Sequence, residues 1–335
     1  MSEESYRTAI TEVADGTPRP LWSVMIPTYN CAAYLRETLQ GVLAQDPGPN
    51  LMQIEVVDDH STHDDPGAVV TELGTDRVGF YRQPENVGHV RNFNTCLQRS
   101  RGHLIHLLHG DDAVREDFYR TMQRPFECHP EIGAAFCRNI YIDADGYWTS
   151  IAPLQEAESG VMNGWLERIA VGQRLQPPSM VVRRDVYERL GGFDRRIRQY
   201  GEDWEMWVRI AAQYPVWYEV EPLALYRIGA ESLSRRSLRT GENIQDLRRA
   251  VEITRAYLPP DCSAKLCNQA HENHALAAIR RARRMLVAGD RDGMHAQIRE
   301  AVKTRPSAAV LMRAARLLLL WLSTIARSPF SERQR

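Results

Sequence analysis

The segment His103–Asp112, HLIHLLHGDD, constrains what this chain can fold into more than any other stretch. It is rich in Leu and Ile and then stops on two adjacent carboxylates, Asp111 and Asp112. In an α/β sheet, ligands sit just beyond the carboxyl end of a buried strand. Two acids at such a point do not both ionise cheaply unless a cation or hydrogen-bond donors compensate them. A hard divalent ion, Mg2+ or Mn2+, shared with a substrate's phosphates meets that need. The other reading is a helix N-terminus, where Asp caps the first turn and the local dipole favours negative charge. The motif alone leaves both open, and its neighbours decide.

Those neighbours alternate between strand and helix. Leu21–Ile26 reads as a short buried strand stopped by Pro27. Ala33–Gln45 places Tyr34, Leu35, Leu39, Val42 and Leu43 at helical spacing, with Asn30 as its cap. Gln53–Val57 is a second strand ending in Asp58-Asp59-His60-Ser61, Val69–Leu73 a helix, and Val78–Tyr81 a third strand. After the turn Asn86-Val87-Gly88, Val90–Gln98 reads as a helix that leads into the strand His103–Leu108. This order predicts a Rossmann-like α/β half. No GxGxxG follows the first strand, where the turn is PTYN, which argues against a dinucleotide oxidoreductase. A Walker GxxxxGK[ST] is missing too. A nucleotide would therefore be held by side chains and acids, not by a glycine cradle.

Downstream, Phe118–Phe126 reads as a helix, and Gly133–Cys137 and Ile140–Asp143 as sheet before the hairpin turn Ala144-Asp145-Gly146. Residues 151–178 look irregular. Ser179–Arg183 is a strand, Arg184–Leu190 a helix, and Gly201-Glu202-Asp203-Trp204 opens another helix. Val216–Val220 and Leu223–Arg227 close the sheet.

A length of 335 residues suits one large domain with an appendage. From Arg235 onward there are 20 Lys and Arg against 9 Asp and Glu, whereas the preceding part has 22 against 34. An acidic front and a basic tail imply different partners for each, with an anionic surface for the tail. The six cysteines are scattered without a CxxC pair, which reads as reduced thiols rather than a zinc site. The N-terminal stretch is polar and acidic without an apolar core, so it is expected to be a disordered lead rather than a secretory signal, and the protein to stay in the cytoplasm.

In the tail, Ile244–Tyr257 is amphipathic, and His274–Val287 carries Arg280, Arg281, Arg283 and Arg284. Residues 307–326 are the most apolar of the chain, but Arg313 and Arg316 interrupt them, leaving a run too short to span a bilayer. An interfacial helix on the inner face of the cell membrane, with Trp321 and flanking arginines, fits that pattern. A helix packed on the main domain or on a second copy of the chain fits it as well. A basic tail without a recognition motif, beside an acidic main domain, argues against a nucleic-acid partner.

Seven stretches match a family in order and spacing: VMIPTYN (24–30), VVDDHS (56–61), ENVGHVRN (85–92), LLHGDD (107–112), RRDVYERLGGFD (183–194), GEDWEMWVRI (201–210) and YRIGAESLS (226–234). Together they resemble the inverting family-2 glycosyltransferases of the GT-A fold over about residues 21–235. The resemblance implies a mixed sheet flanked by helices at 21–235, after a lead at 1–20 and before a basic helical region at 236–335. It implies transfer of a sugar from a UDP-, TDP- or GDP-linked donor to a glycan or lipid-linked acceptor, as in surface polysaccharide or glycolipid synthesis.

By the same resemblance Pro27, Thr28, Tyr29 and Asn30 would line the nucleotide, and Asp59 would accept a hydrogen bond from the base, a task suited to an acceptor-only carboxylate. Asn86, Gly88 and Arg91 would form the second wall, with Arg91 meeting a phosphate. Asp112 would hold the cation, and Asp111 the ribose or the same cation. Asp203 would be the catalytic base, with Glu202 as its understudy, and Trp204 a platform for the acceptor sugar. Arg227, Ser232 and Ser234 would fold over the diphosphate. Two positions depart from the family pattern. His109 replaces the first Asp of DxDD, and Gly229 stands where many relatives carry a histidine. These departures keep open a catalytically idle domain that binds nucleotide or glycan. A nucleotidyltransferase is disfavoured because its glycine-rich, Lys/Arg-bearing first loop is missing.

Overall fold

A computed structural model describes residues 6–229 and 233–327; the side chains of 233–235 and 324–327 lie outside the description. The described chain forms two compact units. The first takes residues up to 169 together with 173–198 and 202–229, and the second takes 170–172, 199–201 and the chain from 233 onward.

The first unit is a ten-stranded mixed sheet with helices. Its first half alternates β1 (Trp22–Thr28), α1 (Ala32–Leu43), β2 (Met52–Asp58), α2 (Pro66–Gly74), β3 (Gly79–Arg82), α3 (His89–Arg99) and β4 (Leu104–Leu107). Then come β5 (Ala113–Val114), α4 (Phe118–Cys128), β6 (Ala134–Ile142), β7 (Trp148–Ile151), β8 (Gly160–Val161) and α5 (Trp165–Ala170). The set closes with β9 (Met180–Arg183), α6 (Arg184–Leu190), α7 (Glu202–Ala211) and β10 (Val216–Arg227). The strand order is β3-β2-β1-β4-β9-β6-β10-β5, with β7 beside β6 and β8 beside β10. Strands β1 to β4 are mutually parallel, whereas β9 runs antiparallel to both β4 and β6. This is the α/β mixed sheet that the sequence predicts.

The order places the site. Strand β1 has β2 on one side and β4 on the other, so the chain reverses direction across the sheet there, and a crevice opens beyond the carboxyl ends of those strands. Every residue of β1 and β2 is buried, including the polar Gln53 and Glu55, as expected of parallel strands covered on both faces. Trp22, Val24, Ile26, Leu35, Leu39 and Phe118 anchor the core between sheet and helices, each contributing about 1.5–3 kcal/mol by its burial.

Several local expectations are corrected. The N-terminal segment from residue 6 is packed and not a disordered lead; residues 1–5 lie outside the described ones. Arg7 bridges Asp194 antiparallel, the Thr8 carbonyl accepts from the Gly192 amide at 2.8 Å, and Ile10 is only 4% exposed. Asn30 does not cap α1. It sits at φ +51° with its side-chain oxygen accepting from the amides of Thr62 and His63, and Asp64 takes the Ala32 amide at 2.7 Å instead. The two stretches read as separate strands near 133–143 are one strand, β6, and those at 216–227 are one strand, β10, with register shifts around Pro222. The 151–178 stretch is not wholly irregular, since it contains β8 and α5.

The second unit is helical: α8 (Leu233–Thr240), α9 (Glu242–Thr254), α10 (Pro260–Val287), α11 (Arg291–Thr304) and α12 (Ala308–Arg327). Ala270, Ala278 and Ala282 on α10 are buried, as are Met294, Ile298 and Ala301 on α11, and small side chains let these helices approach closely. The buried Gln297 donates to Asn243 at 2.7 Å, tying α11 to α9. On α12, Val310, Ala314 and Leu317 are buried, whereas Leu311, Met312, Leu319, Leu320 and Leu322 are exposed. Among the described residues no helix is long and apolar enough to cross a membrane.

Candidate active site

Three strand ends build the crevice. At the end of β1, Pro27 and Thr28 are buried, and the Thr28 hydroxyl lies 2.8 Å from the Cys31 thiol. These two therefore support the crevice from beneath, while Tyr29 and Asn30 are half-buried at its edge. At the end of β2 the two acids divide their work. Asp58, fully buried, accepts from the Ser61 amide and hydroxyl and serves as the turn's cap. Asp59, 3% exposed, accepts from the amides of Val87 at 2.8 Å and Gly88 at 3.0 Å. Burial pushes its carboxyl up, and the two amides pull it part of the way back. Asn86 donates to the Asp59 carbonyl at 3.1 Å, so the 86–88 turn is locked to the end of β2. Gly88 has φ +84° and leads into α3, with open space where a side chain would begin. Arg91 is exposed on the first turn of α3.

Beyond β4 the loop 109–112 is held tightly. Gly110 is required there because a Cβ would come within 2.8 Å of the Thr28 hydroxyl. The Thr38 hydroxyl donates to the carbonyls of Gly110 and Asp112 at 3.2 and 2.7 Å. Asp112 is 1% exposed; one carboxylate oxygen accepts from the Arg227 amide at 2.9 Å, and the other has no hydrogen-bond partner. Burial and neighbouring Asp111 hold its carboxyl well above the usual range. The ligand atoms of His109, Asp111 and Asp112 all lie within 4.8 Å of one another. Arg227 does not fold over a diphosphate. Its guanidinium is buried, donating to the carbonyls of Asp111 and Asp143 at 2.9 and 3.0 Å, pairing with Glu37 and lying over Tyr34. Ser232 and the Ser234 side chain lie outside the described residues.

The second acidic pair opens α7. Glu202 lies 3.3 Å from His89 Nε2. Burial raises the Glu202 carboxyl, but His89 outweighs it and the net direction is down. In return burial disfavours the charged imidazole, but Glu202 together with Asp203 and Asp59 more than offsets it, and His89 is held protonated more readily than usual. Asp203 accepts from its own helix, the Trp204 amide at 2.7 Å, and from Gln173 at 2.5 Å. Burial and the charge of Glu202 push its carboxyl up to about 7. Trp204 is no platform: it is 1% exposed, with its indole N–H donating to the Ile169 carbonyl at 2.7 Å. It is core, held against α5 by that bond.

Two ring contacts of Phe93, one stacked and one edge-on, join these parts. Phe93 on α3 stacks on the His109 ring at 4.8 Å and meets His89 edge-on at 5.5 Å. His89 thus stands between the Asp59–Gly88 turn and the Glu202–Asp203 pair. No role had been read for it, and its one signal was its place directly after Gly88, where α3 begins.

In an open α/β sheet, acids gathered beyond the strand ends at a chain reversal mark a ligand site, and comparisons with known proteins give the family. The model of the family described as "Glycosyl transferase family 2" matches residues 23–191. The uncharacterized protein MT1568 of Mycobacterium tuberculosis is 30% identical over 258 residues, covering 72% of this chain and 78% of that protein. The putative teichuronic acid biosynthesis glycosyltransferase TuaG of Bacillus subtilis is 26% identical, covering 55% of this chain and 76% of its own. In solved structures the fold is similar to S. aureus TarS 1-349 in complex with UDP-GlcNAc (TM-score 0.60, 14% identity, 85% of this chain and 92% of that one). It is also similar to the mannosyltransferase PcManGT from Pyrobaculum calidifontis in complex with GDP-Man and Mn2+ (TM-score 0.54, 18% identity, 98% and 87%). This chain belongs to glycosyltransferase family 2.

Proposed function

We propose that this family-2 glycosyltransferase moves a sugar from a nucleoside-diphosphate donor to an acceptor hydroxyl with inversion, Asp203 serving as the base. The observation that carries the reading is the split between two neighbouring carboxyls, Glu202 held down by His89 and Asp203 held up to about 7. A general base works best with a pKa near the operating pH, because it is then both available and basic enough to take the proton. In an inverting displacement the Asp203 carboxylate takes the proton of the acceptor hydroxyl as that oxygen attacks the anomeric carbon. The nucleoside diphosphate departs from the opposite face.

On the donor side Asp59 and the 86–88 turn form one wall, Tyr29 and Asn30 the other, and Arg91 faces a phosphate. Asp111 and Asp112 fit a divalent cation, Mg2+ or Mn2+: one buried Asp112 oxygen lacks a partner, and a third donor stands close by. When bound, such an ion neutralises charge on the leaving diphosphate. The donor class draws support from the UDP-GlcNAc and GDP-Man of the two solved neighbours, with UDP, TDP and GDP as the candidates. The acceptor is a growing surface glycan or a lipid-linked sugar, in keeping with TuaG. The exposed apolar side of α12, beside Arg313 and Arg316, suits peripheral contact with the inner face of the cell membrane or with a second copy of the chain.

Thermal unfolding with UDP, TDP and GDP, each with and without Mn2+ or Mg2+, tests the donor site. A ligand bound only by the native state raises the melting temperature with its concentration. A metal-dependent rise with one of the three supports the reading and selects the base. No rise with any of them removes it.

A further inference from the structure

We propose that His109 is the third protein ligand of the cation held by Asp111 and Asp112, and that it turns the site from Mg2+ toward Mn2+. The inference rests on the metal-assisted reading given above. Its first support is a missing bond. Asp112 is buried, and one of its oxygens is satisfied by the Arg227 amide. Its other oxygen has no partner and faces His109 Nδ1 across 3.8 Å, too far for a hydrogen bond. The second ring nitrogen of His109, Nε2, is likewise buried without a partner. A histidine kept only as a structural prop would close at least one of those bonds, because a buried polar atom left unpaired is costly. One ion between the carboxylates and the ring would satisfy donors from both sides at once.

The second support is preorganisation. His109 is stacked on Phe93 with the two ring planes 20° apart, and Phe93 is packed in turn against Phe193 at 5.5 Å. The loop backbone around it is pinned by Thr38 and by the fit of Gly110 against Thr28. The ring is therefore held where it stands, with the donor atoms of the three residues within 4.8 Å of one another.

The third support is the donor set. Two carboxylates with phosphate oxygens suit hard ions such as Mg2+. Replacing one carboxylate by imidazole disfavours Mg2+, which keeps to oxygen ligands, relative to a transition ion such as Mn2+ that accepts nitrogen as well. The position that departs from DxDD would then set which ion the site takes.

The test is pulsed electron paramagnetic resonance of Mn2+ bound to the full chain with UDP, TDP or GDP present. The expected spectrum shows modulation from a directly bonded 14N of imidazole, lost in H109D while Mn2+ remains bound. Competition between the two ions should show the preference for Mn2+ over Mg2+ falling by about tenfold or more in H109D. Circular dichroism checks that the variant folds, and the wild-type spectrum decides the ligand question even if it does not. Mn2+ bound without nitrogen modulation overturns the role of His109 and leaves the metal reading standing. No bound Mn2+ with any of the three nucleotides overturns both.

Discussion

Asp111-Asp112 and Glu202-Asp203 are both adjacent acids at the mouth of one sheet, yet the fold treats them in opposite ways. In the first pair Asp112 is clamped from behind by the Arg227 amide, and its free oxygen faces inward toward His109. In the second, one Glu202 oxygen is paired with His89 and the other has no partner, while Asp203 accepts from the Trp204 amide and Gln173. The first arrangement gathers acceptors in one place, as a cation requires. The second separates two carboxyls in acidity, as proton transfer requires, since environments that drive neighbouring titratable groups apart assign them different tasks.

The comparison can be broken at its edges. The largest effect belongs to Trp204, which follows the second pair and is packed as core. Trp204→Ala is expected to lower stability by about 3–5 kcal/mol, read from the urea midpoint. An unchanged midpoint with a raised acceptor KM would restore the platform. Asp112→Asn is next: transfer should drop by about 10²- to 10³-fold, and Mn2+ should no longer raise the melting temperature in the presence of nucleotide. Retained metal dependence would show that the first pair does not gather the ion.

Glu202→Gln sharpens the contrast by removing a charge that raises Asp203. A base at about 7 gives a rate that rises with pH through that value. Without Glu202 the Asp203 pKa falls, so the acidic limb of the profile should move to lower pH, by about one unit. An unmoved limb would mean that Asp203 does not set it. The smallest effect is expected at Asp59, which holds two amides and so belongs to neither pair. Asp59→Asn retains one acceptor and should cost about 1–2 kcal/mol in chemical unfolding.

Much of the first unit was legible in the sequence because β1, β2 and β4 are buried throughout and its helices carry regular apolar spacing. The acids at 111–112 marked the end of a buried strand once their neighbours were read, whereas the need for Gly110 against Thr28 shows only in the fold. What could not be read depended on contacts between distant residues. Arg227 looked like a phosphate ligand, but whether a long cation reaches outward or lies beneath Asp111 is settled by the packing of Tyr34 and Glu37. Trp204 lies at helical spacing from Trp207 and Ala211, so its place on the apolar face of α7 was available, but the likeness to a sugar platform outweighed it. Ile10 stood in a mainly polar stretch with only Ala9, Val13 and Ala14 near it, too weak a signal to show that the segment packs near Gly192. His89 stood in view, but its role emerges only when α3 and α7 come together.

The most direct test of the division of labour is the Asp203→Asn variant, assayed for transfer from UDP-, TDP- and GDP-sugars and for nucleotide affinity by calorimetry with Mn2+. The account expects transfer to fall by about 10²- to 10⁴-fold and the pH dependence near 7 to vanish, with nucleotide affinity unchanged. Transfer close to that of the wild type, or loss of nucleotide binding together with transfer, would contradict it.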